Sequence, residues 1–154
     1  MTSKTKHFTD TIFYQIELTA KYTKMLGMQL FNKLGVNLSI DEFAALDTIS
    51  ANNELCQRDL AKLILKDRAN TGKLLDSLEE KGVISRTLSI KNNRPVKIIT
   101  ITDLGKESYN EIYKKLTPHH KLVEEKIANT DLTKVGDLLK ELREVLEETI
   151  DIDI

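Results

Sequence analysis

The apolar residues of this 154-residue chain recur in steps of three and four over most of its length. Such steps place side chains on one face of an α-helix. The pattern predicts helices over residues 8–34, from about 39 to 52, 55–64, 67–82, from 103 onwards, and from about 131 to 148. Ser39 and Glu42 have the spacing of a capping box that would open the second helix. The chain is therefore expected to be mainly α-helical.

The hydrophobic period changes from 3.6 to 2 after Gly82. Residues 83–90 and 96–101 are rich in β-branched residues, which predicts two strands, and residues 91–95 form a turn between them. Two short helices separated only by Leu65 and Lys66, followed by a hairpin, indicate a winged helix-turn-helix over about residues 39–102. The fold class is thus mainly α with a small β-hairpin wing.

The helix over residues 67–82 has two contrasting faces. Leu74, Leu75 and Leu78 form its apolar stripe, and Thr71 falls on the same side, which predicts that this threonine is buried. Asp67 is expected to cap its start and Gly82 to end it. The opposite face is polar or small, so this helix is the candidate for insertion into a DNA major groove.

The helices at the two chain ends, about 8–34 and 103–150, carry more apolar surface than a small winged-helix core can cover. Association of two copies of the chain would bury it, so these are predicted dimerisation helices. Representative positions are Ile12, Ile16 and Val135. Pro118 predicts either a kink or a break with Thr117 as a new cap.

Charge is unevenly distributed along the chain. The net charge is −1, but residues 57–97 hold ten Lys/Arg against five Asp/Glu, a net of +5 on the proposed DNA-reading segment. A lone cysteine argues against a disulfide framework. Neither a signal peptide nor a run of ~18 apolar residues is seen, which favours a cytoplasmic protein and argues against membrane insertion.

Three stretches resemble the MarR (multiple antibiotic resistance regulator) family of bacterial and archaeal transcription factors. They are residues 57–61 (QRDLA), 74–86 (LLDSLEEKGVISR) and 101–105 (ITDLG). The resemblance implies one MarR-like domain over residues 1–154. It also implies a homodimeric regulator, more often a repressor, that binds a pseudo-palindromic operator on double-stranded DNA. Members similar to it commonly release DNA when a small aromatic or lipophilic effector binds.

The candidate DNA contacts lie on the two helices of the motif, the turn between them, and the wing. They are Gln57, Lys66, Arg68, Ala69, Asn70, Gly72, Lys73, Arg86, Lys91, Asn92, Asn93 and Arg94. Two of these positions depart from the family pattern. Lys73 stands where an Arg is frequent, and Asn92-Asn93-Arg94 replaces an Asp-x-Arg. The distance from Arg94 to Thr102 is also one residue longer than is usual in the family, which leaves the register of the hairpin open.

Other classes of function have weaker support. No nucleophile with a base, Gly-rich phosphate loop or metal-ligand cluster can be assembled, so neither an enzyme nor a cofactor is expected. His119 and His120 would point about 100° apart on a helix, which disfavours a shared metal. Cys56 at a helix start could sense oxidants, although a lone cysteine is more often a small apolar residue. A winged-helix protein–protein adaptor is the alternative function.

Overall fold

The computed structural model describes residues 7–127 and 131–152, and the chain divides at Ile40 into two compact units. In the first unit a 3₁₀ turn, Phe8–Asp10, precedes helix α1, Ile12–Lys33. The prediction of one helix over residues 8–34 was therefore wrong at its start. Thr11 is extended and its hydroxyl accepts the Tyr14 N–H, which makes it the cap of a new helix.

The second unit begins with α2 (Ile40–Ala51), strand β1 (Leu55–Cys56), α3 (Gln57–Leu63) and α4 (Arg68–Glu80). Residues 55 and 56 were expected to be helical, but they pair with a later strand, and α3 starts at Gln57. The connection between α3 and α4 is four residues rather than two. Leu65 in it adopts a left-handed backbone, with φ of 51°.

Helix α4 is capped at both ends as the sequence predicts. The Asp67 carboxylate accepts the Asn70 N–H at 2.8 Å. Beyond the last turn, Gly82 has φ of 73° and donates to the Glu79 carbonyl, while the next N–H donates to Leu78. These two bonds satisfy carbonyls that a helix end leaves open.

The inner face of α4 is also as predicted, with one exception. Thr71, Leu75 and Leu78 are fully buried, and the Thr71 hydroxyl donates to the Asp67 carbonyl at 2.8 Å. Leu74 is only half-buried. Burial of this face leaves the other side of α4 exposed.

The wing consists of β2 (Ile84–Lys91) and β3 (Arg94–Ile101), and the sheet order is β1-β3-β2, all antiparallel. Its turn is only Asn92 and Asn93, both with positive φ, the arrangement that suits a two-residue hairpin turn. The predicted five-residue turn was too long. Pro95 is accommodated in β3 because β1 does not extend alongside it.

Helix α5, Asp103–Lys126, is capped by Thr102, whose hydroxyl accepts the Gly105 N–H at 3.0 Å. It runs through Pro118 without a break, and the Thr117 hydroxyl donates to the Tyr113 carbonyl one turn back. Thr117 is therefore not a new cap, and that alternative was wrong.

Helix α6, Leu132–Thr149, buries none of its residues, and it is capped by Asp131. In the parts of the chain that the structure describes, no helix combines the length and apolarity needed to span a membrane. Along the chain, one long helix precedes the winged helix-turn-helix and two follow it, which confirms the predicted fold class.

Candidate nucleic-acid interface

The outer face of α4 is exposed at Arg68, Ala69, Asn70 and Lys73. The buried stripe on the opposite side fixes this orientation. Within residues 7–127 and 131–152, Lys73 makes no ion pair or hydrogen bond. Its charge is therefore available to an external anion.

Gln57 connects the starts of α3 and α4. Its side-chain amide donates to the Arg68 carbonyl at 3.0 Å. A Cβ placed on Gly72 would lie 3.0 Å from the same amide nitrogen. The glycine therefore gives Gln57 room within the chain, and close approach of Gly72 to a DNA backbone stays a prediction.

Asn70 is committed to the cap of its own helix. Its side-chain amide donates to the Asp67 carboxylate at 2.6 Å. Hydrogen bonds from the backbone and the side chain of Asn70 lower the pKa of Asp67. The same amide has a second N–H and an acceptor oxygen, so a bidentate contact from Asn70 to adenine stays a prediction.

Lys66 and Arg86, both candidate DNA contacts, are engaged inside the protein. Lys66 pairs with Asp41 at 3.2 Å. The Arg86 guanidinium donates to Asp76 at 2.6 Å and also to Glu79, so it joins the first wing strand to α4. Burial lowers the pKa of Arg86, but the bonds to the two carboxylates outweigh it and raise the pKa.

The wing is attached to α3 by Lys91, whose ammonium lies 2.8 Å from the Asp59 carboxylate. That hydrogen bond raises the pKa of Lys91, and it is the main reason that the pKa of Asp59 falls to about 2. The backbone N–H and the thiol of Cys56 donate to the same carboxylate. Cys56 thus has a structural role at the start of α3.

Arg94 lies directly after the wing turn. It is exposed, as are Asn92 and Asn93 in the turn itself. No ion pair or hydrogen bond involves the Arg94 side chain within the described part of the chain. Lys91 holds the wing in place, and Arg94 projects from its end with its charge available.

The candidate DNA contacts omit three further cations of residues 57–97. All three are exposed and make no ion pair with any residue that the structure describes; they are Arg58, Lys62 and Lys97. All three contribute to the net charge of residues 57–97, and Arg58 lies within the QRDLA stretch, but none is among the candidate DNA contacts. Among the described residues, no group of three or more His, Cys, Asp and Glu side chains could hold a metal ion.

The predicted dimerisation positions lie on faces with substantial exposure. Ile12 is 61% exposed, Val135 is 41% exposed, and Ile16 is half-buried.

A family model described as "MarR family" matches residues 38–96, which cover the helix-turn-helix and most of the wing. Comparison of the sequence with curated proteins gave no match.

Solved structures with the same fold include a MarR-family transcriptional regulator from Rhodococcus sp. RHA1. It is 21% identical, with 89% of this chain and 96% of that chain covered, at a TM-score of 0.75. The transcriptional repressor CouR, bound to a 23-mer DNA duplex, is 21% identical. The match covers 94% of this chain and 99% of that chain, at a TM-score of 0.72. NadR, in complex with 4-hydroxyphenylacetate, is 21% identical. The match covers 92% of this chain and 97% of that chain, at a TM-score of 0.73.

The family match falls on the segment that carries the exposed α4 face and the wing, and the shared fold extends over most of each chain. Residues 38–96 thus match the MarR family model, and the chain shares the winged-helix fold of solved MarR-family regulators.

Proposed function

We propose that the protein is a transcriptional repressor that binds a pseudo-palindromic site on double-stranded DNA as a homodimer. The observation that carries the proposal is the exposed face of α4, where Lys73 has no partner in the described chain and the buried stripe holds the helix outward. The wing adds Arg94 at its end, while Lys91 and Arg86 attach the wing to α3 and α4. A cationic helix and hairpin on a fixed frame suit a groove and its flanking phosphates.

Self-association is supported by the apolar surface of the terminal helices. No residue of helix α6 is buried, and two of its apolar residues, Leu138 and Val145, are 64% and 60% exposed. In α1, Met25 and Met28 are each 59% exposed. Apolar surface of this extent marks an interaction site, and a second copy of the chain supplies a matching one.

Release by a small aromatic or lipophilic effector is part of the proposal. NadR, which shares the fold, is described in complex with 4-hydroxyphenylacetate, a small aromatic acid. Repression has similar support, since CouR is described as a repressor on a DNA duplex.

Selection of bound sequences from a random pool of duplex DNA tests the central claim. A two-fold protein should select an imperfect palindrome with half-site centres ~10–10.5 base pairs apart. An asymmetric site bound by one chain would contradict the dimeric arrangement. Absence of any selected sequence would favour the adaptor alternative.

Variants of the two available cations separate their roles. Arg94→Ala should weaken selected and random duplexes by a similar factor and reduce the log–log salt slope by about one for each phosphate that is no longer neutralised. If Lys73 reads a base, Lys73→Ala should cost ~1–3 kcal/mol on the selected site and little on random DNA. Lys121→Ala, which removes an exposed cation of α5, is the matched control. It should change neither the affinity for the two duplexes nor the salt slope. Equal effects of all three variants would show that only net charge matters.

A further inference from the structure

Two adjacent acidic residues in the first turn of α2 hold α4 near both of its ends. Asp41 pairs at 3.2 Å with Lys66, which lies just before the α4 cap. Glu42 accepts the Ser77 hydroxyl at 2.5 Å and the Lys81 ammonium at 2.7 Å, in the last part of α4 and at its C-cap. One turn of α2 therefore attaches to α4 at two separated points.

The Glu42 attachment is largely shielded from water. Glu42 is 6% exposed, and apart from Thr71 it is the only buried polar or charged residue in the part of the chain that the structure describes. Each oxygen of its carboxylate has a donor. Charge-assisted hydrogen bonds are short and directional, and removal of water strengthens them.

The apolar contacts of α4 do not supply the same directionality. Leu75 and Leu78 are fully buried, but the hydrophobic effect depends on area removed from water and hardly on direction. A helix held only by such contacts can tilt or rotate slightly at small cost. The two attachments from α2 are directional and oppose both movements, together with the bonds that Gln57 and Arg86 make to α4.

We propose that Asp41 and Glu42 are positioning residues that set the tilt of α4 for reading a DNA sequence. The inference rests on the proposed function, because it assigns a purpose to the orientation of α4. Both residues belong to α2 and not to the exposed face of α4, so each acts through its bonds to the α4 region. Loss of either attachment should misplace base-reading side chains and leave phosphate attraction intact.

The test compares binding of a selected duplex and a random duplex at several salt concentrations. Glu42→Gln and Asp41→Asn each remove one negative charge, which raises affinity for every duplex alike, so the ratio of the two affinities isolates positioning. We expect this ratio to fall by about tenfold in each variant, the value of about one base contact. The salt slope should stay unchanged, and the double variant should lose more than either single variant.

Ser77→Ala provides a charge-neutral variant, since it removes one hydrogen bond to Glu42 and keeps the pair with Lys81. It replaces Glu42→Gln if that protein does not fold. Tyr109→Phe is the matched control. It removes a 2.6 Å hydrogen bond to Asp47, on the same helix α2, without involving α4. It should lower the melting temperature and preserve the affinity ratio.

An unchanged ratio in folded Glu42→Gln and Ser77→Ala would overturn the inference and leave the proposed function standing. An equal loss in Tyr109→Phe would also overturn it, because general destabilisation would then explain the effect. A wild-type protein that selects no sequence would refute the proposed function, and this inference with it.

Discussion

Gly105, in the first turn of α5, occupies a position where no larger side chain fits. A Cβ at this residue would lie 2.0 Å from the Val83 carbonyl oxygen and 2.7 Å from a side-chain carbon of Ile101. An ordinary contact begins near 3.4 Å. The Gly105→Ala substitution therefore requires the Val83 carbonyl or α5 to move by more than 1 Å.

The cost can be worked out from these contacts. Overpacking against backbone, which has no flexible end to move aside, costs about 3 kcal/mol. The Val83 carbonyl also accepts the Thr102 N–H at 3.1 Å, and loss of that bond costs about 1 kcal/mol. The better helix propensity of Ala returns about 1 kcal/mol. Gly105→Ala should therefore lower the free energy of unfolding by about 3 kcal/mol, and the melting temperature by about 6–12 °C.

Gly136, in α6, provides the matched control because nothing lies within 4 Å of its would-be Cβ. The same substitution there should stabilise the protein by up to about 1 kcal/mol through helix propensity alone. Chemical denaturation of both variants and the wild type measures the two effects. A Gly105→Ala protein as stable as the wild type would refute the steric reasoning.

Three further outcomes are expected. Because its hydroxyl donates to Asp47, the pKa of Tyr109 is raised from 10.0 to about 12, so the stability advantage of wild type over Tyr109→Phe should be complete below pH 10 and shrink towards pH 12. A constant difference in chemical denaturation would contradict this. The pH dependence is opposite for Asp59, whose pKa is lowered from 3.8 to about 2. The stability advantage of wild type over Asp59→Asn should be complete above about pH 4 and vanish as pH falls through 2. Convergence that begins near neutral pH would exclude this cause. Replacement of Leu139 and Leu142 by Asp should give monomers or unfolded chain in sedimentation experiments; a folded, DNA-binding dimer would count against the dimerisation role of α6.

Features that depend on neighbouring residues could be predicted from the sequence. The hydrophobic period placed Thr71 on the buried side of α4 despite its polar neighbours, and the structure buries it fully. The caps at Asp67 and Gly82 follow from local backbone chemistry, and each is present. Periodicity and capping need only residues within about one or two turns, so a single sequence contains the information.

Which cations of residues 57–97 pair inside the protein could be seen only in the folded chain. Lys66, Arg86 and Lys91 are Lys or Arg residues like Lys73 and Arg94, and the sequence analysis grouped them all as DNA contacts. Their carboxylate partners lie 25 residues away for Lys66, 7 and 10 for Arg86, and 32 for Lys91. No local pattern specifies such distant pairs.

Strand β1 shows the same limit. Leu55 and Cys56 precede a helix and were predicted to be part of it, but they pair with Ile99 and Ile98, more than 40 residues later. A two-residue strand has no period of its own, so only the edge of β3 makes it a strand. Local sequence patterns were enough to predict most of the helices, the buried face of α4 and the resemblance to the MarR family. The sequence did not predict strand β1, nor which cations form ion pairs within the protein and which stay exposed. Both depend on which distant segments become neighbours when the chain folds.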